Sequence, residues 1–221
     1  MNGKRGLPAL PWLTLIICQS CRRVLRAGTL HSGAKEKKQP MKWLIASDIH
    51  GSALYCGQLL EAFRREEADR MILLGDLLYH GPRNDLPQGY APKEVAAMLN
   101  GMKEKLLCVR GNCDTEVDQM VLSFPILADY AFLPLGQHLV FLTHGHHFHP
   151  DCLPPLNQGD LLLFGHTHVP FCEERKGVRC LNPGSVSIPK ADSKRGYMML
   201  QEGRFTWKTL SGESWREYTA E

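Results

Sequence analysis

From about residue 41 onward the chain alternates short apolar runs with polar clusters, and five of the runs end in the same narrow kind of residue. The run WLIAS leads into Asp48-Ile49-His50, and MILLG into Asp76. LLCVRG ends at Asn112, LVFLT at His144, and LLLFG at His166-Thr167-His168. Four to six residues rich in Ile, Leu and Val suit strands buried on both faces rather than half-exposed ones. Between the first two runs, SALYCGQLLEAFRREEA carries Leu59, Leu60 and Phe63 at helical spacing and ends in charge. Between the second and third, PKEVAAMLNGMKEK opens with Pro92, a good first helical residue, and puts Val95, Ala96, Leu99 and Met102 on one face. Strand, helix, strand, helix, strand predicts βαβ units and a largely parallel sheet covered on both sides.

That topology gives the recurring polar ends a meaning. Ligands of open α/β sheets bind beyond the carboxyl ends of the strands, where all five polar sets fall. Gly75, Gly111 and Gly165 stand immediately before Asp76, Asn112 and His166, and are expected to let the chain turn sharply out of the sheet. The converging set is Asp48, His50, Asp76, Asn112, His144, His166 and His168, seven donors of carboxylate, amide and imidazole type. These are too many for one tetrahedral zinc. Two ions bridged by a carboxylate and spaced ~3.5–4 Å apart use them economically, and such a pair can clamp a phosphoryl group for in-line displacement. Mixed oxygen and nitrogen donors suit manganese, iron or zinc, and spacing does not choose among them.

Composition adds a boundary. Residues 1–40 hold eight Lys or Arg against the single acid Glu36, so the formal charge of +3 over 221 residues divides into +7 for this leader and −4 for the rest. The body, with no Lys/Arg stripe, gives no support for broad nucleic-acid binding. Its length suits one domain, and 43% hydrophobic content suffices for a core. The apolar part of the leader is interrupted by Pro8 and Pro11 and is too short to span a bilayer. The expected organisation is therefore a basic N-terminal extension over 1–40, outside the fold, and one domain over 41–221. A targeting segment is the other reading of 1–40, and no membrane partner is expected. The eight cysteines show no disulfide framework, Cys18-x-x-Cys21 is a weak zinc signal, and the body reads as cytoplasmic with reduced thiols.

SDIHG, LLGDLLYHGPRN, VRGNCD, LTHGHHF, FGHTHVP and NPGSVSIPK resemble, in order and spacing, the calcineurin-like metallophosphoesterases, and most nearly their YfcE-type bacterial phosphodiesterase branch. The resemblance runs from Met41 to at least Lys190. It implies an α/β fold of two packed β-sheets flanked by helices, an α/β/β/α sandwich. GVRCLNPG, RGYMMLQEG and RFTWKTL fit strands of the second sheet, the last two joined at Glu202-Gly203. It also implies two divalent ions, with manganese expected and iron or zinc as alternatives. Asp48, His50 and His168 would take the first, Asn112, His144 and His166 the second, and Asp76 would bridge. The implied activity is hydrolysis of a small phosphodiester by a metal-bridging hydroxide. A phosphomonoesterase or a non-catalytic scaffold of the same fold are the alternatives. Relatives often form oligomers, which leaves a homo-oligomer open.

Many relatives carry His directly after the Asn, where this chain has Cys113. A neutral thiol is a weak hydrogen-bond donor and a poor general acid, so His146 becomes the candidate substitute donor or phosphate contact. Asp76, Asn112, Cys113 and His146 thus form the catalytic set. Asp114 either orients Asn112 or Cys113 or caps the next helix. His80, Arg83 and Asn84, in the long loop of residues 79–92, are candidate phosphate contacts, Arg because it binds bidentately. His138, His147 and His149 are read as surface or loop residues, Arg110 as a partner for a carboxylate, and Asn182–Ser185 as a brace behind the ligands.

Overall fold

A computed structural model describes residues 40–220. The expectations for the leader, including the Cys18–Cys21 pair, lie outside the described residues except at Pro40. All five apolar runs form strands, but they are shared between two sheets. β1 (Trp43–Ala46), β2 (Arg70–Leu73) and β3 (Leu106–Cys108) pair in parallel in the first sheet. β5 (His138–Thr143) and β6 (Leu161–Leu163) pair in parallel in the second.

The first sheet has six strands in the order β11-β10-β9-β1-β2-β3. Its antiparallel half is β9 (Gly196–Gln201), β10 (Arg204–Thr209) and β11 (Ser214–Thr219). The expectation that RGYMMLQEG and RFTWKTL belong to the second sheet is therefore corrected. β9 is buried on both faces over five of its six residues, which suits a place in mid-sheet beside β1 rather than at an edge. Their predicted connection at Glu202-Gly203 does form, with both residues in the left-handed region at φ 50° and 80°. The second sheet has five strands in the order β4-β5-β6-β8-β7. β4 (Tyr130–Leu135) and β7 (Phe171–Arg175) run antiparallel at its two edges, and β8 (Val178–Asn182) continues the parallel core.

Ile45, Ile72, Leu74 and Val109 from the first sheet face Val140, Leu142, Leu161, Leu163 and Leu181 from the second. The other face of the first sheet takes α1 (Ala53–Arg65) and α2 (Pro92–Asn100), whose Leu59, Phe63, Val95 and Leu99 pack on Leu44, Met71 and Leu73. α1 starts where the Ser52 hydroxyl accepts the Tyr55 N–H and ends in Arg64 and Arg65, favourable at the negative end of the dipole. α2 stops at Asn100, short of its predicted extent, and a tight turn over Lys103–Lys105 leads to β3. No comparable helix covers the outer face of the second sheet among the described residues. Phe148, Leu153 and Leu156 of the 145–160 segment pack there against Phe141, Leu162 and Phe164, so the fourth layer of the sandwich is largely loop.

Six cysteines in the described region are unpaired, and no described helix is long and apolar enough to cross a membrane. Glu66, which closes α1, is tied to the antiparallel half of the first sheet. Lys208 Nζ donates to its Oε2 at 2.6 Å and the Tyr197 hydroxyl to its Oε1 at 2.7 Å. Burial works against ionisation, but these hydrogen bonds outweigh it and lower the carboxyl below its ordinary 4.5. A depressed folded-state value means the contribution is complete above 4.5 and fades as pH falls through that value. We expect Glu66→Gln to cost about 1–3 kcal/mol at pH 7, with the deficit shrinking as pH falls below 4.5 in paired denaturant titrations.

Candidate metal centre

The polar ends of β1, β2, β3, β5 and β6 meet where the carboxyl edges of the two sheets lie side by side. Asp48, His50, Asp76, His144 and His168 are all buried, with exposures of 0–3%. Asp48 Oδ1 lies 3.2 Å from His168 Nε2 and 3.5 Å from His50 Nε2. Asp76 Oδ2 lies 3.6 Å from His50 Nε2 and 3.4 Å from His144 Nε2. Asn112 Oδ1 and His166 Nδ1 approach His144 Nε2 at 3.0 and 3.3 Å. All seven predicted ligands are thus brought together, with Asp76 reaching both groups.

The tautomers follow from the partners. His50 Nδ1 meets the Tyr79 carbonyl at 2.7 Å, His144 Nδ1 that of Leu74 at 2.6 Å, and His168 Nδ1 that of Ile188 at 2.7 Å. A carbonyl only accepts, so each Nδ1 carries a proton, and in the neutral ring each Nε2 presents a lone pair. Those lone pairs point at one another and at carboxylates: His50 and His168 Nε2 are 3.2 Å apart. Asp48 Oδ1 is fully buried without a well-aligned donor. Acceptors converging on acceptors repel unless positive charge stands among them. Asp48, His50 and His168, and separately Asp48, Asp76 and His144, place one donor atom each within 4.8 Å of each other, so the residues present fit divalent cations.

The titration behaviour reports the same demand. Burial alone would raise the Asp48 carboxyl, but His168 and His50 outweigh it and hold it well below the usual carboxylate range. Burial would also neutralise His144, yet the hydrogen bond to Asp76 and the charges of Asp48 and Asp76 push it up to about 9. His166 is lowered by burial and by its positive neighbour His144.

The backbone differs from expectation in an informative way. Asp48, His50, Asp76, His166 and His168 themselves adopt φ between 49° and 64°, a conformation that costs a non-glycine residue about 1–2 kcal/mol. Gly111 and Gly165 serve close approach instead of turning. A Cβ on Gly111 would run into the Asp76 carboxylate, and one on Gly165 into the Ser47 hydroxyl. Asp114 caps no helix; Thr115 does so, in a capping box with Asp118. Asp114 accepts the N–H groups of Asp76, Leu77 and Gly111 at 2.8–2.9 Å and so fixes the loop that carries Asp76. The predicted brace is present: Ser185 Oγ donates to the Asp48 carbonyl at 2.9 Å and Asn182 Nδ2 to that of Gly165 at 2.7 Å. Ser187 Oγ adds a second bond to the Asp48 carbonyl at 3.1 Å. Arg110 reaches Glu116 at 3.5 Å.

A cleft of about 340 Å³ opens on this group, lined by Asp76, Asn112, Cys113, His166 and His168 together with Arg83, Asn84 and Lys190. Cys113 is buried, and burial together with the Asp76 and Asp114 carboxylates raises its thiol far above its ordinary value; its backbone N–H donates to Asp76 Oδ1 at 2.8 Å. Two candidates need correcting, His80 and His146. His80 does not line the cleft, because its ring packs edge-on against Tyr79 and Tyr90, with centroids 4.8 and 5.3 Å away. Asn84 lines it as expected, with one of its two Nδ2 protons given to the His80 carbonyl at 2.8 Å. His146 lies tilted beside His144 and His166 but lines a neighbouring groove with His149 and Phe171. Burial and the charge of His144 lower it to about 4, so it is a neutral ring at pH 7. Lys190 and Thr167 were missed. The only hint lay in their neighbours: the Lys190 N–H bonds the His168 carbonyl, and Thr167 stands between two ligands.

Comparison with known proteins points the same way. The model of the calcineurin-like phosphoesterase superfamily domain matches residues 41–203. Phosphodiesterase YfcE of Escherichia coli K12 is 49% identical over 174 residues, covering 79% of this chain and 95% of that protein. The probable metallophosphoesterase YsnB of Bacillus subtilis 168 is 28% identical over 168 residues, covering 72% and 83%. A solved structure of YfcE, a phosphoesterase from E. coli, superposes with a TM-score of 0.79 at 46% identity, covering 82% of this chain and all of that one.

With His144 held near 9, a cation entering the metal-free protein at pH 7 must displace a proton. Apparent affinity for Mn²⁺ is expected to rise with pH between 6 and 9, by up to about tenfold per unit for each proton released. Calorimetric titration in buffers of different ionisation heat measures that release; affinity independent of pH over this range would contradict it.

Proposed function

The chain belongs to the calcineurin-like phosphoesterase superfamily and is a phosphoester hydrolase, and on that premise we propose that it is a phosphodiesterase working with two divalent ions, manganese preferred. The observation that carries this reading is the Asp76 carboxylate, whose Oδ2 faces His50 on one side and His144 on the other at 3.6 and 3.4 Å. Asp48, His50 and His168 would hold one ion, Asn112, His144 and His166 the other, and Asp76 would join them. Bound there, such ions supply an activated water and screen the charge of a phosphoryl group.

The protein groups around them orient and neutralise. Arg83 and Lys190 line the cleft and can take the non-bridging phosphate oxygens, Arg bidentately. Asp114 and Ser185 hold the Asp76 and Asp48 loops, so that the carboxylates do not shift as charge develops. Cys113 stays a thiol at neutral pH and gives the departing oxygen little acid help. General acid catalysis is worth ~10²–10⁴-fold, so the reaction favours leaving groups stable as anions, phenolates and phosphates over simple alkoxides.

Metal-stripped protein given matched aryl phosphodiester and phosphomonoester substrates, with Mn²⁺, Zn²⁺, Fe²⁺ or Mg²⁺ restored singly, tests the proposal. Diester turnover should return best with Mn²⁺ and exceed monoester turnover. Preference for the monoester would make the protein a phosphatase, and silence with every ion in folded protein would make it a scaffold. In the same assay Asp76→Asn should lower kcat/KM by ~10³-fold or more with the fold retained. Cys113→Ala should change turnover of an activated diester by less than about tenfold, since little proton transfer is lost.

A further inference from the structure

Beside the polar cleft lies a second and larger cavity of about 590 Å³, and Cys113 forms part of the wall of both. The second cavity runs between α2 and α3 (Glu116–Val121), with Tyr79, Tyr90, Ala96, Ala97, Val117 and Val121 among its walls. Of its polar side chains, Asn100, Thr115 and Asp118 are engaged in building it, and Lys93 also lines it. Asn100 donates to the Val121 carbonyl at 2.9 Å and accepts the Ser123 N–H at 2.7 Å, which ties the two helices together. Asp118 accepts from both the N–H and the hydroxyl of Thr115 at 2.8 Å. What faces the cavity is mostly hydrocarbon and ring. Tyr79, His80 and Tyr90 pack edge to face in series, and the Tyr79 carbonyl holds His50, so the aromatic wall begins at the metal ligands themselves.

A phosphate in the cleft would therefore have an apolar groove beside it, with Cys113 in the wall of both. A monoester has one arm and a diester two; an arm that is planar and apolar can enter the groove while the phosphate remains in the cleft that Arg83 and Lys190 line. We infer that this groove is a subsite for one ester arm of the substrate, and that the arm is aromatic. The inference rests on the phosphodiesterase reading of the cleft and adds the chemical class of what is bound. Burying a phenyl ring there removes apolar surface from water and stacks it on tyrosine, whereas a short alkyl arm leaves the groove wet.

A single-armed probe avoids the question of which arm enters. We expect 2-phenylethylphosphonate to bind the manganese-loaded protein about tenfold or more tighter than ethylphosphonate, read by calorimetry. Ala97→Trp, at an exposed position on α2, should fill the groove and bring the two affinities to within about twofold. Val117→Glu, at a site 69% exposed and so tolerated by the fold, should do the same by placing a charge in the wall. Thermal melts of both variants confirm folding. Equal affinities in the unaltered protein, or a gap that survives in both folded variants, would overturn the inference. Turnover of an activated diester by the same preparation separates the two levels. If it is present while the phosphonates bind equally, the groove reading fails and the phosphodiesterase reading stands. If it is absent with every metal, the reading beneath both is lost.

Discussion

Three imidazoles, those of His50, His144 and His168, have their Nδ1 protons committed to backbone carbonyls, and the rest of the site follows from that commitment. Their Nε2 lone pairs must then face the Asp48 and Asp76 carboxylates, and the group is at rest only with positive charge at its centre. A proton on His144 can supply part of it; divalent cations supply more. The cost of arranging acceptors against acceptors is borne by geometry that a simpler loop would not adopt. Five ligand residues sit in left-handed backbone, and at Gly111 and Gly165 any larger residue would strike Asp76 or Ser47.

Holding such loops requires support from outside them, and it comes from both sheets. Asp114, after β3, takes three N–H groups of the Asp76 and Gly111 turns. Asn182, at the end of β8, and Ser185 and Ser187 beyond it, take carbonyls from the loops after β1 and β6. The hydrophobic seam between the sheets, Ile45, Ile72 and Leu74 against Val140, Leu142 and Leu163, fixes the distance between these braces. Packing in the core and ligand spacing at the edge are thus one constraint. The same construction leaves Cys113 at the boundary between a polar cleft and an apolar groove, where its raised thiol serves as wall rather than as acid.

The candidate ligands were legible because each ends an apolar run and belongs to a residue type with few other reasons to be there. Contacts made by longer side chains were less so. His80 and Asn84 stand in the expected loop, but one ring packs on two tyrosines and the other side chain's amide closes its own turn. Lys190 lies far along the chain from Arg83, yet lines the same cleft. His146 follows a ligand by two residues but turns to a different groove. No periodicity encodes which way a side chain in a loop will point.

The sequence by itself made eight of the eleven described strands, the two main helices and the seven candidate donors legible, and left β4, β7 and β11 unread. Burial pattern and residue chemistry are local properties, and a run of Leu and Ile before an Asp reads the same in any order of strands. Tertiary structure decided that the runs divide between two sheets, that β9 and β10 join the first, and that Asp76 stands between two groups of imidazoles. It also decided that a thiol and two tyrosines open an apolar groove beside the charge. Those outcomes depend on pairing and packing between segments more than a hundred residues apart, such as β1 and β9, and on the energy of burying both sheet faces at once. That energy belongs to the folded chain as a whole and to no single stretch of it.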